Sequence, residues 1–502
     1  MEGLGRDDSA NDFGPIEMSS FGSSTGTNVD TAAAPHESSF RSFMGNNIDV
    51  AAASDESNFG SSMENIDIGF VESDLRSSLD SIVFENSLLS TKCSIFETPR
   101  ILFRTNEKTY VPTAFSIGPL HHGKPGLTAT EQIKLKYTQD LISRVSQTKG
   151  TVLKDMVKWI ACIEEEARQC YAVPVEFTRD EFIKILLVDG CFLIELFRKY
   201  GGLDSSTSAN DPVMNRACML EVVDRDLFLL ENQIPWMVLH RLFSLTSSDD
   251  DILIFRSPQP ISSVNVLTRL TLRFFRIFGT RGLDSSMETS LLRSTHYNET
   301  KHVLDLLRSS LIGSTLQLES GNRERWELIP SASSLIEAGV KFKKGSTDYG
   351  ILDIKFSNGV LEIPPFIIHE STEALFRNMI SLEQCYHLCD PRITNYAMLL
   401  DILINTPKDI DILCKYGIIK NWLNPEKASQ IFDNLYSDTY VTEFYYLELS
   451  QEVNKYCKRR WPRWRAMYVR NHFSSPWAIA SQMLAAIIFI LALLQTVFTI
   501  KM

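Results

Sequence analysis

The stretch from Pro476 to Ile500 sets the strongest limit on what this 502-residue chain folds into. No charged residue interrupts the window from Phe473 to Ile500, and Met483 to Leu494 is wholly apolar. A bilayer core takes about 20 mostly apolar residues in one helix. Eight Leu, Ile or Phe residues lie between Met483 and Leu494. At about −0.3 to −0.6 kcal/mol each, they favour insertion by roughly 2 to 5 kcal/mol. Ser481, Gln482, Gln495 and Thr496 fall toward the ends, where polar groups cost least. Buried helices of soluble cores rarely lack charge over so long a window, so a transmembrane helix over 476–500 is the expectation.

The approach to this run gives it a direction. Lys455 to Arg470 holds seven Lys or Arg and no acid, whereas one lysine follows the run. The positive-inside bias puts the bulk of the protein on the cytoplasmic side of a single-pass, C-terminal anchor. Arg459, Arg460, Arg463 and Arg465 alternate with Trp461 and Trp464, and Trp477 opens the span. This is the composition of a segment lying among lipid headgroups, and residues 461–475 are read as juxtamembrane. A basic, aromatic run also suits nucleic acid. That use ranks lower, because the run abuts the anchor and the chain carries a net charge of −12.

The opposite end is acidic. Residues 1–92 are rich in Ser, Asn, Gly, Asp and Ala, with too few large apolar groups to offset the entropy of ordering, and are expected to be disordered. A degenerate 19-residue repeat runs through them, placing Phe21, Phe40 and Phe59 at equal spacing. One aromatic per unit is too little to pack a solenoid. The units read as a linker expansion, or as weak docking motifs with Ser-rich phosphorylation potential. The start has no basic n-region and no apolar h-region. The nine cysteines are expected to be reduced thiols in a cytosolic domain.

Between these ends, residues 93–460 predict one mainly α domain. A loop or extended lead-in from Glu97 is broken by Pro99, Pro112 and Pro119. Apolar residues at three- and four-residue spacing predict helices over 131–147 and 152–170. Thr178 with Glu181 forms a capping box that opens a helix to Tyr200, apolar nearly all round and so central. Leu220 to Leu245 reads as a helix broken at Gln233-Ile234-Pro235. Helical stretches follow at 264–278 and 299–312. The period changes over 339–366, where three short segments separated by Lys-Gly-Ser and Ser-Asn-Gly turns predict a small antiparallel sheet, an α+β element in the α domain. Helices return at 372–388, 394–405, 407–416, 425–435 and 441–457, with Thr406-Pro407 and Asn424-Pro425 as start signals.

The chemistry on offer is limited. No phosphate-binding loop, dinucleotide fingerprint, kinase set or metalloprotease motif stands on a suitable element, and no cofactor is expected. Cys385, His387 and Cys389 lack the second half-site of a structural zinc centre, so no metal is expected. The polar set of interest is Asp189, Glu195, Asp226, Glu231, Asn232 and Gln233 inside apolar segments, with the His121-His122 pair in a Pro/Gly-bounded loop. Buried carboxylates are costly unless paired. They either bind Arg side chains or free backbone groups, notably the carbonyls released by Pro235, or form an acid/base site from Asp189, Glu231 and His121.

Several segments carry a resemblance. They are SIGPLHHG (Ser116–Gly123), LLVDGCFLIELF (Leu186–Phe197), LLENQIPWMVL (Leu229–Leu239), AGVKFK (Ala338–Lys343), LDIKFSNGVLEIPPF (Leu352–Phe366), TEALFRNMISLEQC (Thr372–Cys385) and WRAMYVRNHFSSPWAIAS (Trp464–Ser481). In that order they resemble plant domain-of-unknown-function (DUF) family 247. The resemblance implies a mainly helical protein with a single C-terminal transmembrane helix. It carries over no catalytic residue, because none is established for the family. An association of some grass members with pollen self-incompatibility implies recognition rather than catalysis. The acidic repeats depart from the family's usual short N-terminus, and IFETPRILFR lacks its more usual Val-Pro. The expectation is a membrane-anchored recognition or adaptor protein that meets lipid through its C-terminal helix and a protein partner through its helical domain. The alternative is an enzyme using the buried carboxylate and histidine site.

Overall fold

The computed structural model describes residues 92–146, 152–201, 211–247, 263–275, 300–313, 327–347, 350–386, 388–433, 435–441, 443–459 and 476–501, with residues 73 and 76. The chain divides into two units, Met1–Val83 and Phe84–Met502, and nearly all described residues belong to the second. The repeats, the juxtamembrane residues 461–475 and His387 lie outside the described residues.

The second unit is mainly helical. After a short turn of helix α1 (Arg100–Phe103) come α2 (Glu131–Ser146), α3 (Val152–Arg168) and α4 (Arg179–Tyr200). The Thr178 hydroxyl accepts the Glu181 N–H, and the Glu181 carboxylate accepts the Thr178 N–H, so the local signal does start α4. From Phe182 to Lys199 nearly every α4 side chain is buried. It packs against α2, α3, α6 (Trp236–Thr246) and α7 (Ser263–Phe274). Gly190 permits this closeness to α6, since a Cβ there would stand 2.5 Å from Leu242 Cδ1.

One expected helix divides further than its sequence implied. The sequence breaks Leu220 to Leu245 only at Gln233-Ile234-Pro235. Instead α5 (Ala217–Asp226) stops nine residues before Pro235, the residue that opens α6. The Asn232 side chain donates to the Asp226 carbonyl, and Gln233 donates to those of Leu227 and Leu229. Side-chain amides thus take up carbonyls that a continued helix would have used, and the 227–235 connection is stable without helical pairing.

After α8 (Val303–Ile312) and α9 (Ala332–Glu337) the chain forms β1 (Lys341–Lys344), β2 (Lys355–Ser357) and β3 (Val360–Ile363). This sheet corrects the antiparallel expectation. Its order is β1-β3-β2, with β2 antiparallel and β1 parallel to β3. The β2–β3 hairpin follows from Asn358 and Gly359, whose φ values of 50° and 78° suit a two-residue turn. The Lys-Gly-Ser segment after β1 is no hairpin. The chain runs on to Ile351, whose N–H donates to the Leu311 carbonyl of α8, before β2 begins. Pro364 and Pro365 end the sheet, lacking N–H groups. A second sheet pairs β4 (Phe366–Ile368) in parallel with β5 (Ile419–Asn421).

The remaining helices are α10 (Thr372–Cys385), α11 (Arg392–Leu403), α12 (Pro407–Lys415), α13 (Pro425–Asp433) and α14 (Leu447–Cys457). The helix α10 ends at Cys385, short of the expected 388, and Cys389 lies beyond it. Thr406 and Asp409 form a capping box at α12, and Asn424 accepts the Lys427 N–H at α13.

The last element, α15, is one helix of 26 residues, Pro476–Lys501. Side chains within it are described only between Ala480 and Thr496. Among the described residues no helix is long and apolar enough to cross a membrane, so the transmembrane helix expected over 476–500 is not supported there.

Candidate functional site

The polar residues singled out in the sequence meet around one loop. Residues 113–121 cross the face formed by α4 and the 227–235 connection, and their backbone N–H groups have no strand or helix to join. Side chains supply the acceptors instead. The Asp226 carboxylate accepts the N–H groups of Thr113 at 2.8 Å, Ala114 at 2.8 Å and Phe115 at 2.9 Å. Asn232 accepts from Ile117 at 2.7 Å and returns a bond to the Phe115 carbonyl at 2.9 Å. Asp189 accepts from Gly118 at 2.8 Å. Gly118 has φ +76°, and a Cβ there would lie 2.3 Å from the Gln233 carbonyl oxygen. Only glycine fits.

Asp189 also meets a cation. The Lys134 ammonium lies 2.5 Å from its carboxylate and 2.8 Å from that of Glu131, and donates to the Ser116 carbonyl. Burial pushes the Asp189 carboxyl above the usual aspartate range, against the pull of Lys134 and the Gly118 N–H. The same burial would lower Lys134, but the Asp189 charge outweighs it and holds the ammonium above the ordinary lysine range. Asp226 is likewise raised by burial, opposed by its three N–H donors.

Glu231 and His121 close the loop's far end. His121 Nε2 stands 3.2 Å from the Glu231 carboxylate, within ion-pair distance though not aligned as a hydrogen bond. The Lys124 ammonium donates to His121 Nδ1 at 2.9 Å, which leaves the ring proton on Nε2, facing Glu231. Glu231 also accepts the Thr98 N–H. Burial raises its carboxyl, but the His121 ring and the Thr98 N–H together bring it below the usual range. Gln233 accepts the Leu304 N–H at the start of α8, and its carbonyl takes the Tyr171 hydroxyl.

Two of the residues stand apart. Glu195 pairs with Arg144 at 2.7 Å, its carboxyl raised by burial against that cation. The His122 ring sets its edge against Phe177. Of the interfacial set, Arg459 is exposed just after α14. Arg460, Trp461, Arg463, Trp464 and Arg465 lie outside the described residues, as does the side chain of Trp477. Among the described residues no group of three His, Cys, Asp or Glu side chains could hold a metal ion.

The same device recurs where the sequence pointed to nothing. Asn378 accepts the Leu230 N–H and donates to the Thr109 carbonyl. Glu383 pairs with Arg308 at 2.8 Å and accepts the N–H groups of Ile393 and Thr394, capping α11 from another helix. Asp409 accepts from Ser333. His302, fully buried, donates from Nε2 to the Ser94 carbonyl while Nδ1 accepts the Asp305 N–H, so it is neutral and burial lowers it. Asn378 and Glu383 share α10 with Glu373, Arg377 and Gln384, and did not stand out. Lys134 did not either, since Lys136 two residues on is half exposed and looks the same in sequence.

Three segments that carry the family resemblance, Ser116–Gly123, Leu186–Phe197 and Leu229–Leu239, therefore meet in one network. Residues 95–491 match the DUF247 family, described as plant protein of unknown function. This chain belongs to the DUF247 family. Among its relatives, UPF0481 protein At3g47200 of Arabidopsis thaliana is 25% identical over 444 residues, covering 84% of this chain and 88% of the relative. Putative UPF0481 protein At3g02645, also of Arabidopsis thaliana, is 22% identical over 503 residues, covering 84% and 93%. No solved structure matches the chain. The network gives this DUF247 protein a set of buried charges whose hydrogen-bonding capacity goes largely to backbone N–H groups of other segments.

Proposed function

We propose that this protein is a membrane-tethered recognition protein whose rigid helical domain presents a binding surface on the cytoplasmic side. The observation that carries the tether is α15. Met483, Leu484, Ile487 to Leu491, Leu493 and Leu494 are all exposed, so this helix buries its apolar surface against no described part of the chain. Thr496 donates to the Ala492 carbonyl, spending its hydroxyl within the helix as a lipid environment requires. The basic residues from Lys455 to Arg470 support the cytoplasmic orientation.

Recognition is favoured over an acid/base site because Asp189, Glu231 and His121 are engaged with Gly118, Lys134, Thr98 and one another. Asp189 is 1% exposed and His121 2% exposed, leaving little room for a substrate atom. In this reading the acidic repeats are an accessory arm, lipid is met through the C-terminal helix, and nucleic acid is not a partner. Proximity labelling from the helical domain, with protease protection of sealed membranes, tests it. Cytosol-facing protein neighbours and a protease-sensitive domain are expected. A protected domain would contradict the orientation.

A further inference from the structure

We infer that the β1 edge and the adjacent Lys415–Trp422 segment form a second lipid-contacting surface, one that lays the domain on anionic headgroups; the inference rests on the tether proposed above. In β1 only Phe342 points inward, and Lys341, Lys343 and Lys344 are exposed. The Phe342 ring lies 5.8 Å from that of Tyr416 at the end of α12. A Cβ built on Gly417 would stand 3.9 Å from Lys344 Cδ. This brings the strand to Tyr416 and Gly417, between Lys415 and the stretch that runs on through Lys420 to Trp422. Trp422 is 60% exposed, and the Lys420 ammonium sits 5.4 Å from its ring centroid. The patch thus sets five lysines beside two exposed aromatic rings. On the same elements Glu362 is paired with Lys343, and Asp411 lies one helical turn before Lys415.

Edge lysines also blunt unwanted strand pairing, but that role asks nothing of Trp422, Tyr416 or the lysines beyond β1. Lysines beside Trp and Tyr suit a headgroup layer, where cations meet anionic lipid and amphipathic rings sit at the boundary. The path of the chain supplies the occupant. The Tyr456 ring of α14 packs edge-on against Phe356 of β2, and a Cβ on Gly359 would fall within 2.3 Å of it. The same sheet that exposes β1 therefore fastens the helix from which the basic run departs toward α15. From Arg459 to Pro476 an extended chain spans at most about 60 Å, so the tether holds this sheet within reach of the bilayer it enters.

The test is lysine footprinting of the full chain in vesicles of phosphatidylcholine, and of phosphatidylcholine with a phosphatidylserine fraction. Acetylation of Lys341, Lys343, Lys344, Lys415 and Lys420 is read by mass spectrometry against Lys154, Lys158 and Lys184. Phosphatidylserine should slow the five patch lysines at least about threefold relative to the reference set. In K341E/K343E/K344E the protection of Lys415 and Lys420 should disappear while thermal unfolding shifts only slightly, because all three side chains are exposed and Lys343 gives up its surface pairing with Glu362. K341Q/K343Q/K344Q should give an intermediate loss. Equal acetylation in both vesicles, from protein that resists alkaline carbonate, would overturn the surface and leave the tether standing. Protein stripped by carbonate yet still protected by phosphatidylserine would overturn the tether and uphold the surface. Equal protection by soluble RNA at matched phosphate would overturn the assignment to lipid.

Discussion

The Lys134 ammonium and the Asp189 carboxylate meet at 2.5 Å with almost no access to water. Such a pair is costly to assemble and more costly to halve, since the survivor is a buried unpaired charge. Lys134→Met should destabilise the domain by about 3–5 kcal/mol. Lys134→Met with Asp189→Leu should cost clearly less than the two single changes added. Urea unfolding of the four proteins gives the coupling, and simple additivity would show that the pair is not a unit.

Asp226 holds three consecutive N–H groups of the 113–115 segment. A buried donor left without an acceptor costs about 1–3 kcal/mol. Asp226→Ala should therefore lower stability by at least about 3 kcal/mol, and Asp226→Asn, which keeps one carbonyl oxygen, by less. Equal midpoints in chemical denaturation for wild type and Asp226→Ala would contradict this role.

Gly118→Ala introduces a side chain at positive φ and against the Gln233 carbonyl. The left-handed conformation alone costs about 1–2 kcal/mol, and the close contact adds to it. Thermal unfolding should show a clear fall, whereas Gly123→Ala, with open space around the added carbon, should lose only the conformational part.

The buried histidines should weaken the fold in mild acid. Burial lowers His240, His302 and His369 from the ordinary 6.5, so the unfolded chain takes up protons that the folded chain refuses. Their contribution is complete above about pH 6.5 and is lost as pH falls below it. Asp401, raised by burial to about 6, acts in the opposite sense, adding stability as pH falls past that value. Asp189, Glu195 and Asp226, also raised by burial, act in the same sense as Asp401, so the histidine contribution, a decline of the midpoint between pH 6.5 and 5, is read by substitution. His302→Gln should make that decline shallower, and Asp401→Asn should make it steeper. A profile left unchanged by His302→Gln would contradict the buried neutral histidine.

What could be read in the sequence was local. The Thr178–Glu181 box, the Thr406-Pro407 start and the Asn358-Gly359 turn each act over four residues or fewer, and each stands where expected. The β1–β3 pairing hid because it needs the 345–354 excursion, and β4–β5 because its strands lie some fifty residues apart. The polar site was half legible. Carboxylates and amides in apolar runs were conspicuous, but their partners are mostly backbone N–H groups, which carry no sequence signal. The loop's need for acceptors shows only once the chain is folded around it.

The claim on which the account turns is that α15 anchors the protein. Alkaline carbonate extraction of membranes carrying the full chain, beside a chain ending at residue 475, tests it most directly, because carbonate strips proteins held by charge alone. The full chain should stay in the membrane pellet and the shortened chain should move to the supernatant. Release of the full chain, or retention of the shortened one, would contradict the anchor.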